Sequence, residues 1–328
     1  MEEKIQVWYK FPHQKEIWHL AETSKCEIPS DAFILMPFDG KNPIYLNAAE
    51  AEKMPMHLFL KTTDSPKFEL VDAPKIVPKN YENLVKKALS LIAKGTFEKV
   101  VLARQKKIAT NLNPLTVFKN LCSAYENCFV HLVYQPHNFC SIGASPELLL
   151  AADDQRIKSV SMAGTLTDIN NNFHHKEKKE QGYVTDFILR QFLAFGLDPK
   201  INHTTIKNGN IQHLYSFIES PLNSDTKTVE KLLDALHPTP AVCGSPKNES
   251  KQFIIDNEGF KRQLYAGYLG IMNQSKKHTE TYVNLRCAQL FKNNAILYAG
   301  AGITMESDAH AELLETTAKM HVLEKFLL

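Results

Sequence analysis

The chain has 328 residues, 44% of them hydrophobic and 23% charged, with a formal net charge of +2. That length and apolar content suffice for a large buried core, and the near-neutral balance without a basic stripe excludes a nucleic-acid-binding protein. No apolar run approaches the roughly 18 residues of a membrane span, and the start, Met-Glu-Glu-Lys-Ile-Gln, lacks a signal-peptide pattern, so a cytoplasmic chain is expected. Cys26, Cys122, Cys128, Cys140, Cys243 and Cys287 form no C-x-x-C pair, and several sit in apolar runs. They are expected as buried free thiols, neither a disulfide framework nor a zinc site.

Residues 1–80 predict short strands at Ile5–Tyr9, Glu16–Leu20, Ala32–Met36 and Pro43–Leu46, with a turn at Pro37-Phe-Asp-Gly40. Tyr81 to Lys94 predicts a helix with Leu84, Ala88, Leu91 and Ile92 as its apolar stripe and Gly95 as its stop. A β-branched run, Phe97 to Gln105, predicts a strand. Pro114 to Ala124 predicts a helix capped by Asn113. Cys128–Tyr134 and Asn138–Ile142 read as a hairpin across Gln-Pro-His, and Ser159 to Thr165 as strand and loop. A long helix is expected from Lys176 to Phe195, strand character over 200–215, and a helix from Lys227 to Leu236. His237-Pro-Thr-Pro-Ala-Val-Cys-Gly244 reads as a rigid loop, because its two prolines forbid both helix and central strand. A helix around Lys251 to Asp256 follows, then strands Tyr268–Asn273, Thr279–Cys287 and Ala295–Tyr298. The last is expected to enter a glycine-alanine turn and then a helix capped by Ser307 or Asp308. Lysine clusters at 174–180, 246–251 and 275–278 read as solvated surface. With no linker and no repeat, a single α+β domain, 1–328, is expected, divided into a strand-rich part (1–80) and a motif-bearing part (81–328).

Chemistry concentrates in a few places. On the last helix Glu312, Glu315 and Lys319 fall at i, i+3 and i+7 and share a face. Glu177 and Glu180 form a second acidic turn on the long central helix. If the two turns face each other they suit Mg²⁺, a hard cation that keeps waters and a substrate oxygen; otherwise they are two unrelated charged helix faces. Lys99, beside Val100-Val-Leu102, is either an inward base or an edge-strand gatekeeper. Glu147, between Ser145-Pro146 and three leucines, is either an acid kept protonated by apolar surroundings or a solvated turn residue. Arg286, inside the expected strand Val283 to Cys287, would need an anion if it faces inward. His213 and His237 taken singly read as structural.

Together FEKVVLAR, GASPELLL, SMAGT, LHPTPAVCG, FKRQLYAGYLG, VNLRCAQL and LYAGAGIT…ELLETTAK resemble the chorismate-utilising enzymes in order and spacing from about residue 81 to 328. Residues 1–80 match only loosely. Within the family, HPTPA and the lysine of KVVLAR resemble the isochorismate synthases. The resemblance implies an α+β chorismate-binding fold, a two-layer antiparallel β core flanked by helices, with the site in a cleft between layers. It implies that Lys99 activates water for attack at C2 of chorismate and that Glu147 protonates the departing C4 hydroxyl. Glu180 and Glu315 would hold Mg²⁺, with Glu177 and Glu312 behind them or bridged by water. Arg286 and Tyr265 would bind the enolpyruvyl carboxylate, Lys319 would add positive charge, and His213 would sit near the ring carboxylate. Gly164, Thr165, Ala241 and Gly300 would line the pocket where backbone comes close to the substrate.

Two departures stand out: Glu180-Gln181-Gly182 where the family commonly has Glu-His, and Leu313 where an aromatic often follows the first Glu. The expectation is a monomeric, Mg²⁺-dependent isochorismate synthase acting on chorismate, with menaquinone rather than siderophore synthesis as its pathway. The nearest rivals are a salicylate synthase, an ammonia-using synthase and a catalytically dead chorismate-binding subunit. A metal-free carboxylate hydrolase is more distant.

Overall fold

The short runs read as strands between residues 5 and 47 are strands in the computed structural model. The structure describes residues 4–25, 27–63, 66–77, 79–166, 173, 175–208, 211–222, 226–275 and 277–328; at 163–166, 175–176, 207–208, 211–213 and 226 it describes the backbone only. Strands β1 (Ile5–Lys10), β2 (Glu16–Glu22), β3 (Asp31–Met36), β4 (Ile44–Asn47) and β5 (Glu52–Pro55) precede a one-turn helix α1 (Met56–Phe59) and helix α2 (Tyr81–Ala93). Then come β6 (Lys99–Ala109), α3 (Pro114–Ala124), β7 (Phe129–Gln135), β8 (Phe139–Ser145), β9 (Leu148–Ala152), β10 (Arg156–Leu166) and α4 (His175–Ala194). Next are β11 (Lys200–Asn208), β12 (Ile211–Pro221), α5 (Thr226–Leu236), β13 (Gly244–Ser245) and α6 (Lys247–Asn257). The chain ends with β14 (Tyr268–Asn273), β15 (His278–Val283), β16 (Cys287–Phe291), β17 (Asn294–Ile303) and α7 (Ala309–Glu324).

The strands make two antiparallel sheets, ordered β13-β6-β17-β16-β8-β7-β1-β2-β5 and β11-β12-β10-β9-β15-β14-β3-β4. Residues of both inner faces interdigitate between them. Tyr9 of the first sheet packs on Phe33 of the second, ring centroids 4.9 Å apart, and Phe129 stacks on Tyr282 at 4.7 Å. Helices α2 and α7 pack on β6 and β17, and α4 packs on β10 and β12. This is the expected α+β architecture of two antiparallel layers flanked by helices. Residues before α2 supply strands to both sheets: β1, β2 and β5 to the first, β3 and β4 to the second.

Several boundaries differ from the sequence reading, each for a non-local reason. The stretch Ala299-Gly-Ala-Gly-Ile303 is strand rather than turn, because Gly300 to Ile303 pair with Val100 to Ala103 of β6. The run Thr279–Cys287 is two strands, since the chain leaves the second sheet after Val283 and enters the first at Cys287. Arg286 therefore lies outside any strand, at φ +47°. Residues 200–208 and 211–215 belong to two strands paired with each other, and α6 starts earlier than Lys251. Lys247, read as solvated, is half-buried and donates to the carbonyls of Ala235 (3.2 Å) and His237, closing the end of α5. The five described cysteines are buried and free, as expected.

Candidate active site

The site lies where the two sheets exchange the chain. Pro146 and Glu147 form the crossing from β8 to β9, and Asn284 to Arg286 form the crossing from β15 to β16. The crossings run side by side. The Val283 N–H donates to the Glu147 carbonyl (3.0 Å), the Ser145 hydroxyl to the Val283 carbonyl (2.5 Å), and the Ala144 N–H to the Arg286 carbonyl (3.2 Å). Two residues far apart in sequence are thus fixed against each other by backbone bonds. Arg286 in the left-handed region stores about 1–3 kcal/mol of strain that the paired crossings must hold.

Lys99 opens β6 with its side chain fully buried, and its Nζ lies 3.0 Å from Glu180 Oε1 on α4. The edge-strand alternative is therefore excluded for this lysine. Gly302 on β17 makes the approach possible. A Cβ there would fall 2.2 Å from Glu180 Oε1 and 3.0 Å from Lys99 Cε, so only a residue without one leaves the pair its space. Gly300 is similarly tight, 3.0 Å from the Tyr265 hydroxyl and 3.1 Å from the Leu102 carbonyl. The repeated glycines inside a strand were the available signal for this close approach.

Two helices carry the carboxylates. Helix α7 is capped by Asp308, whose carboxylate accepts from the Ala311 N–H at 2.9 Å. One face then presents Glu315 and Lys319, with Lys319 Nζ 2.7 Å from Glu315 and 3.0 Å from the Gly300 carbonyl. Helix α4 is docked by Gln181, whose amide donates to the Ser161 carbonyl (2.9 Å) and the Ser216 hydroxyl (3.0 Å). Thr185 adds a bond to the Ser161 hydroxyl at 3.0 Å. The residue that departs from the family pattern thus holds the Glu180 helix against β10 and β12.

Glu147, Glu180, Glu315, Lys319, Arg286, Tyr265, Ala241 and Gly300 together line one cavity of about 100 Å³. Lys99 meets it through Glu180. Glu312, buried to 1% exposure, and Glu177, half-buried, do not line it; they stand on the helices behind Glu315 and Glu180. The side chains of Gly164, Thr165 and His213 lie outside the described residues; the backbone register pairs Thr165 with His213. Val101, Pro146, Met162, Val242, Leu285, Tyr298, Ala299 and Gly302 complete the walls and were not assigned a role from sequence. His237 is structural: its Nε2 lies 3.0 Å from the Pro37 carbonyl, and burial holds the ring down to about 4.

Burial pushes the Glu147 carboxyl up to about 8, against the pull of Lys99, Lys319 and Arg286. Burial draws Lys319 downward, but Glu315, Glu180 and Glu312 outweigh it and hold the ammonium above its ordinary value. Burial lowers Arg286. Near neutrality the site therefore carries a protonated Glu147 among three cations and several carboxylates. Among the described residues no three metal-ligating side chains converge on one point. Two carboxylates in one cavity, with water and substrate completing the sphere, still fit the oxygen-rich, partly hydrated coordination of Mg²⁺.

Residues 39–328 match the family model described as chorismate binding enzyme. The chain is 27% identical over 329 residues to the vibriobactin-specific isochorismate synthase of Vibrio cholerae, covering 93% of this chain and 81% of that one. It is 30% identical over 268 residues to the isochorismate synthase DhbC of Bacillus subtilis, covering 75% and 67%. Among solved structures, MenF, the menaquinone-specific isochorismate synthase of Escherichia coli, superposes with a TM-score of 0.82 at 21% identity, over 100% of this chain and 90% of that one; it shares the fold.

Proposed function

The chain belongs to the chorismate-binding enzyme family, and from that premise we propose that it is an isochorismate synthase, isomerising chorismate to isochorismate. The observation that carries the reading is the meeting of a buried, protonated Glu147 with Lys99, Glu180, Glu315, Arg286 and Lys319 around one cavity. In the reaction Lys99, as the free amine once it has given its own proton to solvent, takes a proton from water as the water oxygen bonds to C2 of the ring. The ring double bonds shift, the C4–O bond breaks, and the Glu147 carboxyl gives its proton to the departing hydroxyl, which leaves as water. Hydroxide is a poor leaving group, so a proton loaded on the acid before the bond breaks is what the step requires.

Arg286, Tyr265 and Lys319 bind and orient the two substrate carboxylates, which converts binding into alignment of the reacting ring. Glu180 and Glu315 would hold Mg²⁺, with Glu177 and Glu312 supporting them, and the ion would supply positive charge to offset that of the substrate carboxylates. Ala241 and Gly300 form close walls. Gly164, Thr165 and His213 are assigned to the same substrate on resemblance to the family. We read all 328 residues as one catalytic unit, because the strands before α2 complete both sheets, and expect a cytoplasmic monomer. Siderophore-type and menaquinone-type synthases are both among the relatives, and this isomerisation is common to both.

The test is a product assay of purified protein with chorismate, with and without Mg²⁺. Isochorismate accumulating to a reversible mixture, only with the metal, is the expected result. Salicylate with pyruvate would replace the reading by a lyase-coupled one, and no turnover would overturn it.

A further inference from the structure

Beyond the cavity lies a buried ion pair that the proposed chemistry does not use. Glu258 follows α6, Arg262 stands one helical turn further on, and their side chains are 0% and 2% exposed. On the free side of β6, β13 covers Lys99 and Val100 and the Cys243 carbonyl accepts from the Val101 N–H at 2.8 Å; among the described residues no strand covers the edge beyond. The pair takes the place of one. Glu258 accepts from the Ala103 N–H at 2.7 Å, and Arg262 Nη2 donates to the Val101 carbonyl at 2.7 Å. Arg262 Nη1 donates to the Val242 carbonyl in the proline loop at 2.7 Å, while its Nε binds Glu258 at 2.8 Å. The guanidinium plane lies 4.3 Å from the Phe38 ring centroid, and the Arg262 carbonyl accepts from the Tyr265 N–H at 3.0 Å.

Val101, Val242 and Tyr265 line the cavity; Glu258 and Arg262 do not. The side chains thus hydrogen-bond two wall segments, β6 and the proline loop, and the guanidinium also lies against the third, 5.8 Å from the Tyr265 ring centroid; one of the segments is the strand that begins with Lys99. The fork of Arg262 can reach two carbonyls and a carboxylate at once, which a lysine cannot do.

We propose that Glu258 and Arg262 are positioning residues for the isomerisation, fixing the registers of β6, the proline loop and Tyr265 against one another without touching substrate. This inference rests on the activity proposed above. It predicts a loss of rate in molecules that are fully folded, since a displacement of about 1 Å in a catalytic wall can cost up to about a hundredfold.

The experiment compares the parent with Arg262→Lys and Glu258→Gln, reading kcat and KM for chorismate per folded molecule, Tm, and hydrogen exchange by segment. Arg262→Lys keeps the charge but loses the fork; kcat is expected to fall at least about tenfold with KM changed less than about threefold. Glu258→Gln keeps an acceptor for the Ala103 N–H and is expected to lose less. Faster exchange confined to residues 99–105 and 239–243 is expected in Arg262→Lys. A variant that is less stable but whose folded fraction turns over within about twofold of the parent has lost only a structural bond, and overturns the inference. If the parent itself does not convert chorismate, the proposed function falls and the role in isomerisation falls with it; a parent that turns over while Arg262→Lys accelerates exchange uniformly across both sheets overturns the positioning role alone.

Discussion

The two flanks of the cavity bury ionisable groups to the same depth and treat them in opposite ways. Lys99 is fully buried yet keeps a charged partner, Glu180, at 3.0 Å. Glu147 is 3% exposed and stays neutral instead, its carboxyl pushed up to about 8 although three cations lie nearby. Burying a lone charge is too costly to sustain, and a protein answers either by pairing the group or by neutralising it. Here one answer is used on each flank. The consequence for chemistry is asymmetric: the acid is loaded in the resting chain, whereas the base must first lose its own proton and its carboxylate partner. The Lys99–Glu180 pair is therefore the place where activation has to act.

The strongest way to break this contrast is Lys99→Ala. Removing a general base costs about 10²–10⁴ in rate, and here the loss is expected at the upper end, with chorismate binding still measurable by calorimetry. Retained turnover would remove Lys99 from the mechanism and leave the base flank without an occupant. Glu315→Ala is expected to act on metal rather than on proton transfer. Even groups behind a metal's direct ligands are worth about 10–100-fold in affinity, so the apparent Mg²⁺ affinity should fall by at least that much. An unchanged Mg²⁺ titration would move the metal elsewhere.

Gly302→Ala sharpens the comparison at the pair itself. Its new Cβ would lie 2.2 Å from Glu180 Oε1, the far end of a flexible side chain, so Glu180 must swing away while the backbone stays. The expected result is a Mg²⁺ requirement raised about tenfold with Tm within a few degrees of the parent, as for a displaced ligand on an intact fold. A large drop in Tm with unchanged metal dependence would mean that Gly302 serves the sheet and not the site.

What the sequence disclosed and what it hid follow the same physical division. Helices α2, α3 and α7 were legible because their signals are local: apolar stripes, the Asn113 cap that accepts from the Leu115 and Thr116 N–H groups, and the Asp308 cap. The acidic turns and Lys99 were legible as residue types. Glu147 beside three leucines already suggested a neutral acid. The sheet crossings were not legible, because nothing local tells Val283-Asn-Leu-Arg-Cys287 to leave one sheet for another; pairing with distant strands decides it. Ala299-Gly-Ala-Gly-Ile303 carries weak strand propensity and is a strand only because β6 lies alongside. Nothing local marks Glu258 and Arg262, four residues apart and charged, as a buried pair; the open edge of β6, made by distant strands, is what they serve.

The last test probes the Glu147 flank through stability rather than rate. Its carboxyl ordinarily titrates at 4.5 and is held at about 8 in the fold. Between those values the folded chain keeps a proton that the unfolded chain has released, so stability falls as pH rises through that window and levels off above it. The slope from this one group is at most about 1.4 kcal/mol per pH unit. Glu147→Gln removes the titration, so the variant's stability relative to the parent should improve steadily from about pH 4.5 to about pH 8 and then stay level, read from denaturant midpoints at each pH. In the parent the same proton should be lost to catalysis above about pH 8, lowering kcat/KM on the alkaline side. Parallel stability curves for parent and variant would show that Glu147 is ionised in the fold, and both flanks would then bury charge in the same way.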